Sequence, residues 1–365
     1  MWIHFALIIL IFILSYIGYG YIHNRKILCI NAFIPLFSLA AFRSVTVGND
    51  TQEYLRIFQV VSRQSSISSA LTASRYEPGY LLYNYFMSKL TDNFQWILVI
   101  NAGIYIIAVL FFLCRYATDF RSGLILFFSF GLYYIVMNLE RQCIAIAIFL
   151  FAFPFLERKQ YIRYTLLIIF SATFHSTALL LVALPFIPRM DFSKKSELIK
   201  WTVLSVVFLI ILNFGIIYIL PYFPYLSHYM INSKYSVGGV RSASVVMCLV
   251  RLISVGLAIL IKGEIYHGAD TERENLFNKM IWLDCFISAA AIGFNMYDRI
   301  EKYVCMGFVV AIANTVQTMS KNNRRIVYGV IFGLSFAYLT VSLIYRPQWM
   351  GIFPYTLYNS KDIMY

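Results

Sequence analysis

The chain has 365 residues, of which 60% are hydrophobic and 13% charged, and its mean hydropathy is +0.71. Soluble domains carry about 25% charged residues, so this composition excludes an ordinary soluble protein and indicates a membrane protein. A net charge of +13 would be compatible with binding to nucleic acid. The basic residues stand mostly in short connectors between apolar segments, however, which argues against nucleic acid.

Apolar stretches close to the roughly 20 residues that cross a bilayer recur along the chain. They lack two-residue alternation, so they predict helices. We place spans near 2–22, 27–42, 95–114, 123–138, 142–156, 201–220, 244–262, 279–296, 303–319 and 326–345, with 78–90 and 164–187 as further short or broken segments. The predicted fold class is all-α: one polytopic transmembrane domain over 1–365, with about 10–12 transmembrane or re-entrant helices.

Basic connectors orient these helices, because positively charged loops stay on the cytoplasmic side. They are 23–26, 115–121, 157–163, 194–200 and 321–325. Residues 43–94 and 221–243 then form external loops, and 78–90 is a short re-entrant or interfacial helix. The connector 194–200 falls inside only if 164–187 enters the membrane and returns, which is the arrangement we predict.

The polar segment 43–85 contains four arginines and no lysine. Arginine suits bidentate binding of phosphate or carboxylate, which makes Arg43 a candidate. Asp50 and Tyr54 share one helix face after a Gly-Asn turn. Asp50 either caps that helix or serves the site, and both roles can hold together.

The motif Tyr76-Glu77-Pro78-Gly79-Tyr80 starts a predicted helix with proline in its first turn. Glu77 at the positive end of that helix is expected to be ionised. It is either a plain helix cap or a carboxylate that orients or deprotonates an acceptor hydroxyl. The sequence alone leaves both readings open.

Further along, ionisable residues stand next to or inside apolar runs, where they are costly and often functional. Arg141 follows Glu140 at a span start, as a site residue or as half of a loop ion pair. His175 lies in an apolar segment, as a satisfied core histidine or as a proton carrier. Arg299, beside Asp298, either pairs locally or joins the site.

The six cysteines show no CxxC spacing and are expected to be unpaired core residues. No HExxH, DxD or P-loop pattern occurs. The sequence therefore predicts no metal and no cofactor.

The order of these short motifs resembles the EpsG family of Wzy-type polysaccharide polymerases. The motifs are FRxxxxGxDxxxY, EPGY, ERQ, FHS and an aromatic tail with W and PY. The resemblance covers nearly the whole chain, and the family pattern maps onto Arg43, Asp50, Tyr54, Glu77, Tyr80, Arg141 and His175.

The resemblance implies a GT-C-like membrane glycosyltransferase at the outer face of the bacterial inner membrane. It would join oligosaccharide repeat units carried on undecaprenyl pyrophosphate into O-antigen, capsule or exopolysaccharide, with a chain-length regulator as a possible partner. We expect Arg43 and Arg141 to bind pyrophosphate. The acceptor base is expected to be Glu77 or Asp50, with His175 as the other candidate.

Three other classes stay open: a flippase or transporter for lipid-linked oligosaccharide, an O-antigen ligase or acyltransferase, and a structural membrane partner of a synthase complex. A transporter should line a central cavity with its charges, whereas most candidates here fall on one side of the membrane. Sugar identity, linkage, stereochemistry and oligomeric state are not encoded in any motif.

Overall fold

The structure is a computed structural model that describes residues 2–21, 25–192, 194–219, 222, 240–262, 271–294 and 296–359. Within these ranges the chain is helical and forms no strand, apart from one isolated bridge between Arg43 and Leu357. The all-α prediction is confirmed. The described residues fall into two compact units. That both units belong to one transmembrane domain stays a prediction.

The first unit comprises 1–116, 120–185 and 339–365. Its helices are α1 (Trp2–Tyr21), α2 (Arg25–Ala41), α3 (Thr51–Ser62), α4 (Ile67–Thr72), α5 (Pro78–Leu90), α6 (Gln95–Tyr116), α7 (Phe120–Ser129), α8 (Ile135–Asn138), α9 (Glu140–Glu157) and α10 (Tyr161–Ala172). Helix α6 packs against both α2 and α9, and α10 packs on α9. The shorter helices α3, α4 and α5 pack on one another and on the start of α6, with Phe58, Tyr80 and Leu98 in their shared core.

The second unit comprises 117–119 and 186–338. Its helices are α11 (Lys195–Ile219), α12 (Ser242–Lys262), α13 (Thr271–Ala290), α14 (Tyr297–Gln317) and most of α15 (Lys321–Tyr345). Most of the predicted external loop 221–243 lies outside the described residues.

Several helices have the length and composition of membrane spans. They are Gln95–Tyr116, Ser242–Ile261 and Lys321–Tyr345. The bent pair Phe120–Ser129 and Leu132–Asn138 adds a fourth if the two helices form one span. The bend is 66°, and it falls at Gly131, whose φ of +74° favours glycine. The chain therefore has the helical membrane character that its composition predicts.

The segment 164–187 is interrupted. Helix α10 ends at Ala172, and a 3₁₀ helix covers Ser176–Phe186. The segment is therefore not one continuous helix, and its re-entrant path through the membrane stays a prediction.

The aromatic tail crosses the polar segment of the first unit. Ser44 donates its N–H to Thr356 O at 2.9 Å, and Tyr358 donates to Phe42 O at 2.8 Å. Gly48 has a φ of +100° and donates to a tail carbonyl at 2.7 Å. The tail thus fastens the start of the polar segment 43–85 within the first unit.

The expectation that all cysteines are unpaired is wrong for Cys29 and Cys114, which the structure joins by a disulfide between α2 and α6. The two residues are 85 positions apart in the chain. Local spacing therefore carried no signal for this pair.

Candidate active site

Two neighbouring residues at the start of α9 bind two different parts of the polar segment 43–85. Successive side chains on a helix point about 100° apart, so Glu140 and Arg141 reach different partners. Glu140 pairs with Arg43, where the polar segment begins, and Arg141 pairs with Glu77, just before α5.

The Arg43–Glu140 pair is fully buried, with both side chains at 0% exposure. Arg43 also donates to Val136 O at 3.1 Å, and Asn101 on α6 donates to Glu140 Oε2 at 2.6 Å. Tyr83 in turn donates its hydroxyl to Asn101 at 3.1 Å. These bonds hold the buried charge pair in place and join α5, α6 and α9, although Arg43 Nε is buried without a hydrogen-bond partner among the described residues.

The Glu77–Arg141 pair is partly accessible, with 17% and 12% of the two side chains exposed. The other oxygen of Glu77, Oε1, accepts the backbone N–H of Ser176 at 3.0 Å. The Arg141 guanidinium lies over the Tyr76 ring at 4.0 Å from its centroid, a cation–π contact. We call Tyr54, Tyr76, Glu77, Arg141 and the Ser176 N–H the Glu77–Arg141 cluster.

Local sequence explains why Glu77 reaches this place. Pro78 occupies the first turn of α5, where no N–H is needed. Gly79 allows close approach to Thr173, because a Cβ there would lie 2.2 Å from Thr173 Oγ1. The N–H groups of Gly79 and Tyr80 donate to Thr173 O at 2.8 and 3.3 Å. The helix start is thus pinned against the break after α10.

Electrostatics keep Glu77 ionised. Burial raises the pKa of Glu77, but Arg141, the Ser176 N–H and the charge of His175 together lower it below its ordinary 4.5. Glu77 occupies the N-cap position of α5 without a side-chain capping bond. Its carboxylate is instead held by the cluster, so a plain helix cap does not describe its role.

Two tyrosines of the cluster, Tyr54 and Tyr76, pack against each other and against Tyr80. The ring centroids of Tyr54 and Tyr80 are 5.8 Å apart, and Tyr76 lies 6.3 Å from both. The charge of Arg141 acts on the Tyr54 hydroxyl. Burial raises the pKa of Tyr54 and of Tyr76, although Arg141 lowers it. Both phenols therefore stay protonated at neutral pH, and Tyr80 is fully buried behind them.

His175 sits in the break between α10 and the 3₁₀ helix and is 5% exposed. Its Nδ1 and the Thr177 hydroxyl are hydrogen-bonded at 2.6 Å. The next residue, Ser176, contributes its N–H to Glu77. His175 is therefore both satisfied locally and adjacent to the cluster.

Asp50 occupies the N-cap position of α3 but makes no side-chain capping bond. It is partly exposed, and its charge acts on Tyr54 and Tyr76. Asp50 thus lies beside the cluster without touching Arg141.

A family model described as the EpsG family matches residues 26–357 of the chain. The chain belongs to the EpsG family. The resemblance inferred from the order of its short motifs is confirmed, and the match covers nearly the whole sequence. Comparison with curated proteins found no match, and comparison with solved structures found none either.

Most motif positions of this EpsG-family chain meet in the first unit. The structure brings together Tyr54, Glu77, Tyr80, Arg141 and His175, with Asp50 at the edge. Arg43 lies in the same unit, but its side chain is fully buried against Glu140, which fits a structural role. Arg299 lies in the first turn of α14 in the second unit, next to Asp298, which pairs with Arg241 at 3.1 Å.

Sequence reasoning missed Tyr76, the Ser176 N–H and Asn101 as parts of the arrangement. The aromatic residue directly before the EPGY motif was an available signal for Tyr76. No sequence signal marks a backbone N–H. Asn101 lies within an apolar helix, and its hydrogen-bond partner Glu140 is 39 residues away in the sequence.

One carboxylate cluster in the described part of the chain has the donor atoms for a metal. Oxygen and sulfur atoms of Asp284, Glu301 and Cys305 lie within 4.8 Å of one another. Arg251 pairs with both carboxylates, at 2.7 Å from its Nε to Asp284 Oδ2. Because a guanidinium already balances these charges, the residues fit a buried ion pair rather than a cation site.

Proposed function

We propose that the protein is a membrane glycosyltransferase that polymerises oligosaccharide repeat units carried on undecaprenyl pyrophosphate, at the outer face of the bacterial inner membrane. The observation that carries the proposal is the partly accessible Glu77–Arg141 pair, stacked on Tyr76 and placed on the segment that the basic connectors assign to the outside. Membership of the EpsG family supports a polysaccharide polymerase.

The chemistry requires an anion site, a base and a sugar platform, and the cluster offers each. The acceptor hydroxyl attacks the anomeric carbon of the donor chain, and the bond from that carbon to the diphosphate oxygen breaks. The electron pair leaves with the lipid diphosphate, whose charge Arg141 stabilises without nucleotide hydrolysis. The hydroxyl proton passes to Glu77, with His175 as the second candidate base. Tyr76 offers an aromatic face for a sugar ring.

Reconstituted full-length protein with undecaprenyl-pyrophosphate-linked repeat units tests the proposal directly. The length distribution of the glycan is measured on a gel. We expect Arg141→Ala to slow lengthening by about 10²–10³-fold, the usual effect of removing one donor to a developing negative charge. Arg141→Lys keeps the charge but loses the planar stacking, so it should recover only part of the rate.

The matched control is Arg56→Ala on the same external segment. Arg56 is 75% exposed and pairs with the exposed Glu53 at 3.6 Å, so we expect a normal ladder. A normal ladder from Arg141→Ala at equal membrane abundance would refute the proposed role of Arg141.

A flippase for the same lipid is the second candidate. The buried charges of Arg251 on α12, Asp284 on α13 and Glu301 on α14 favour it, because ionisable groups buried within a membrane protein often line transport paths. Lengthening of lipid-linked glycan by purified protein excludes a pure transporter. An O-antigen ligase shares the donor, so transfer to lipid A core in place of a new repeat unit identifies that activity.

A further inference from the structure

Glu77 uses its two oxygens to accept from two donors that suit a phosphate equally well. Oε2 accepts from the Arg141 guanidinium, and Oε1 accepts from the Ser176 N–H at 3.0 Å. A guanidinium combined with an N–H at the start of a helix is a common arrangement for phosphate binding. The Ser176–Phe186 helix is 11 residues long, so its first N–H groups have a defined direction.

Two further observations point to an external anion. Arg141 Nε is buried and has no hydrogen-bond partner, so the guanidinium has unused capacity for an anion with more than two oxygens. Tyr76 holds the guanidinium plane by stacking at 4.0 Å, which preserves the orientation of Arg141 when its anion partner changes.

The structure assigns the diphosphate subsite to Arg141 and the Ser176 N–H: we propose that the Glu77 carboxylate occupies the position of a substrate phosphate, and that a diphosphate displaces it. The identity of that diphosphate as a lipid carrier rests on the proposed function. The displaced carboxylate is then free of its strongest cation at the moment when an acceptor hydroxyl needs a base.

The flanking surface favours a lipid diphosphate over free pyrophosphate. Phe170, two residues before the end of α10, and Leu179 and Leu180 on the 3₁₀ helix expose about half of their surfaces. They flank the break that carries Ser176. An isoprenoid chain attached to the diphosphate would lie against them, whereas inorganic pyrophosphate would not.

Equilibrium binding to the purified full-length protein tests the exchange, with inorganic pyrophosphate and farnesyl diphosphate as separate probes. Glu77→Gln removes the competing charge and should bind both probes at least about tenfold more tightly, which corresponds to about 1.4 kcal/mol. Adding Arg141→Gln to this variant should abolish the gain. Farnesyl diphosphate should bind more tightly than pyrophosphate in every variant that binds.

Glu53→Gln is the matched control, because it removes one negative charge from the same segment at an exposed site. It should leave both affinities unchanged. Equal or weaker binding by folded Glu77→Gln overturns the inference, since that result means that Glu77 only supports Arg141. Equal affinities for the two probes overturn the lipid assignment alone.

A measurement on the unmodified protein guards against misfolding of the variant. Carbodiimide labelling of Glu77, read by mass spectrometry, should increase when farnesyl diphosphate is added, because the carboxylate leaves Arg141. Decreased or unchanged labelling contradicts displacement. These assays do not involve polymerisation. Tighter diphosphate binding by Glu77→Gln, together with a parent protein that does not lengthen lipid-linked glycan, would refute the proposed function and leave the anion subsite standing.

Discussion

The buried Arg43–Glu140 pair gives a prediction that separates a structural arginine from a substrate-binding one. Both side chains are at 0% exposure, so Arg43→Gln leaves the Glu140 charge buried without its cation. Removing one partner of such a pair costs about 3–5 kcal/mol. At the roughly 2 °C per kcal/mol typical of large domains, the apparent Tm should fall by roughly 6–10 °C. Glu140→Gln should cost a similar amount.

The double variant distinguishes a structural role of Arg43 from a substrate-binding role. Arg43→Gln combined with Glu140→Gln contains no unpaired buried charge, so it should be more stable than the sum of the single losses by about 2 kcal/mol or more. Thermal unfolding of the purified protein in detergent, followed by tryptophan fluorescence at one scan rate, ranks the four proteins. The double variant should also keep a polymer ladder, because Arg141 is intact.

Two results would refute this reasoning. Losses that add within about 0.5 kcal/mol mean that the two residues are not coupled. A stable double variant that makes no polymer means that Arg43 itself contacts substrate, as the sequence suggested.

Three further predictions follow from other contacts. Gly79→Ala should lower the apparent Tm and shorten the glycan, because the new Cβ would lie 2.2 Å from Thr173 Oγ1. Arg251→Met should lower the stability of the parent protein by about 3 kcal/mol or more, because it deprives two buried carboxylates of their shared guanidinium. Asp284→Asn should cost less. Because the pKa of Glu77 is lower in the folded protein than its ordinary 4.5, its ionisation stabilises the fold above that pH. The stability difference between Glu77→Gln and the parent should therefore be full at neutral pH and shrink as pH falls through the lowered pKa.

Each of these has a control or a contrary outcome in the same measurement. Gly256→Ala, in a helix where a new Cβ meets nothing within 4 Å, should be neutral or stabilising by up to about 1 kcal/mol. If Asp284→Asn costs as much as Arg251→Met, the guanidinium does not serve both carboxylates. A stability difference for Glu77→Gln that grows on acidification contradicts the lowered pKa.

Much of the fold could be predicted because apolar length and composition determine membrane helices. The prediction for 78–90 matches α5, and that for 95–114 matches most of α6. The break at Gly131 was missed because the run 123–138 is apolar throughout, and hydropathy does not register a positive φ.

The site could be predicted only as a set of residues. Short motifs identified Glu77, Arg141 and His175, since charged groups beside apolar runs are conspicuous. Which arginine meets which carboxylate depends on long-range packing. Arg43 and Arg141 look equivalent in sequence, yet one is sealed against Glu140 and the other remains partly accessible.

The opposite charges of the neighbours Glu140 and Arg141 also specify how the polar segment 43–85 docks on α9. With Arg43 against Glu140 and Glu77 against Arg141, four charges cancel in pairs. Exchanging the partners would place two cations together and two carboxylates together, and like-charge contacts of this kind cost several kcal/mol. The short helices of this segment lack a long apolar run that would fix their position in a bilayer. The order of charges on α9 instead determines which end of the segment contacts Glu140 and which contacts Arg141.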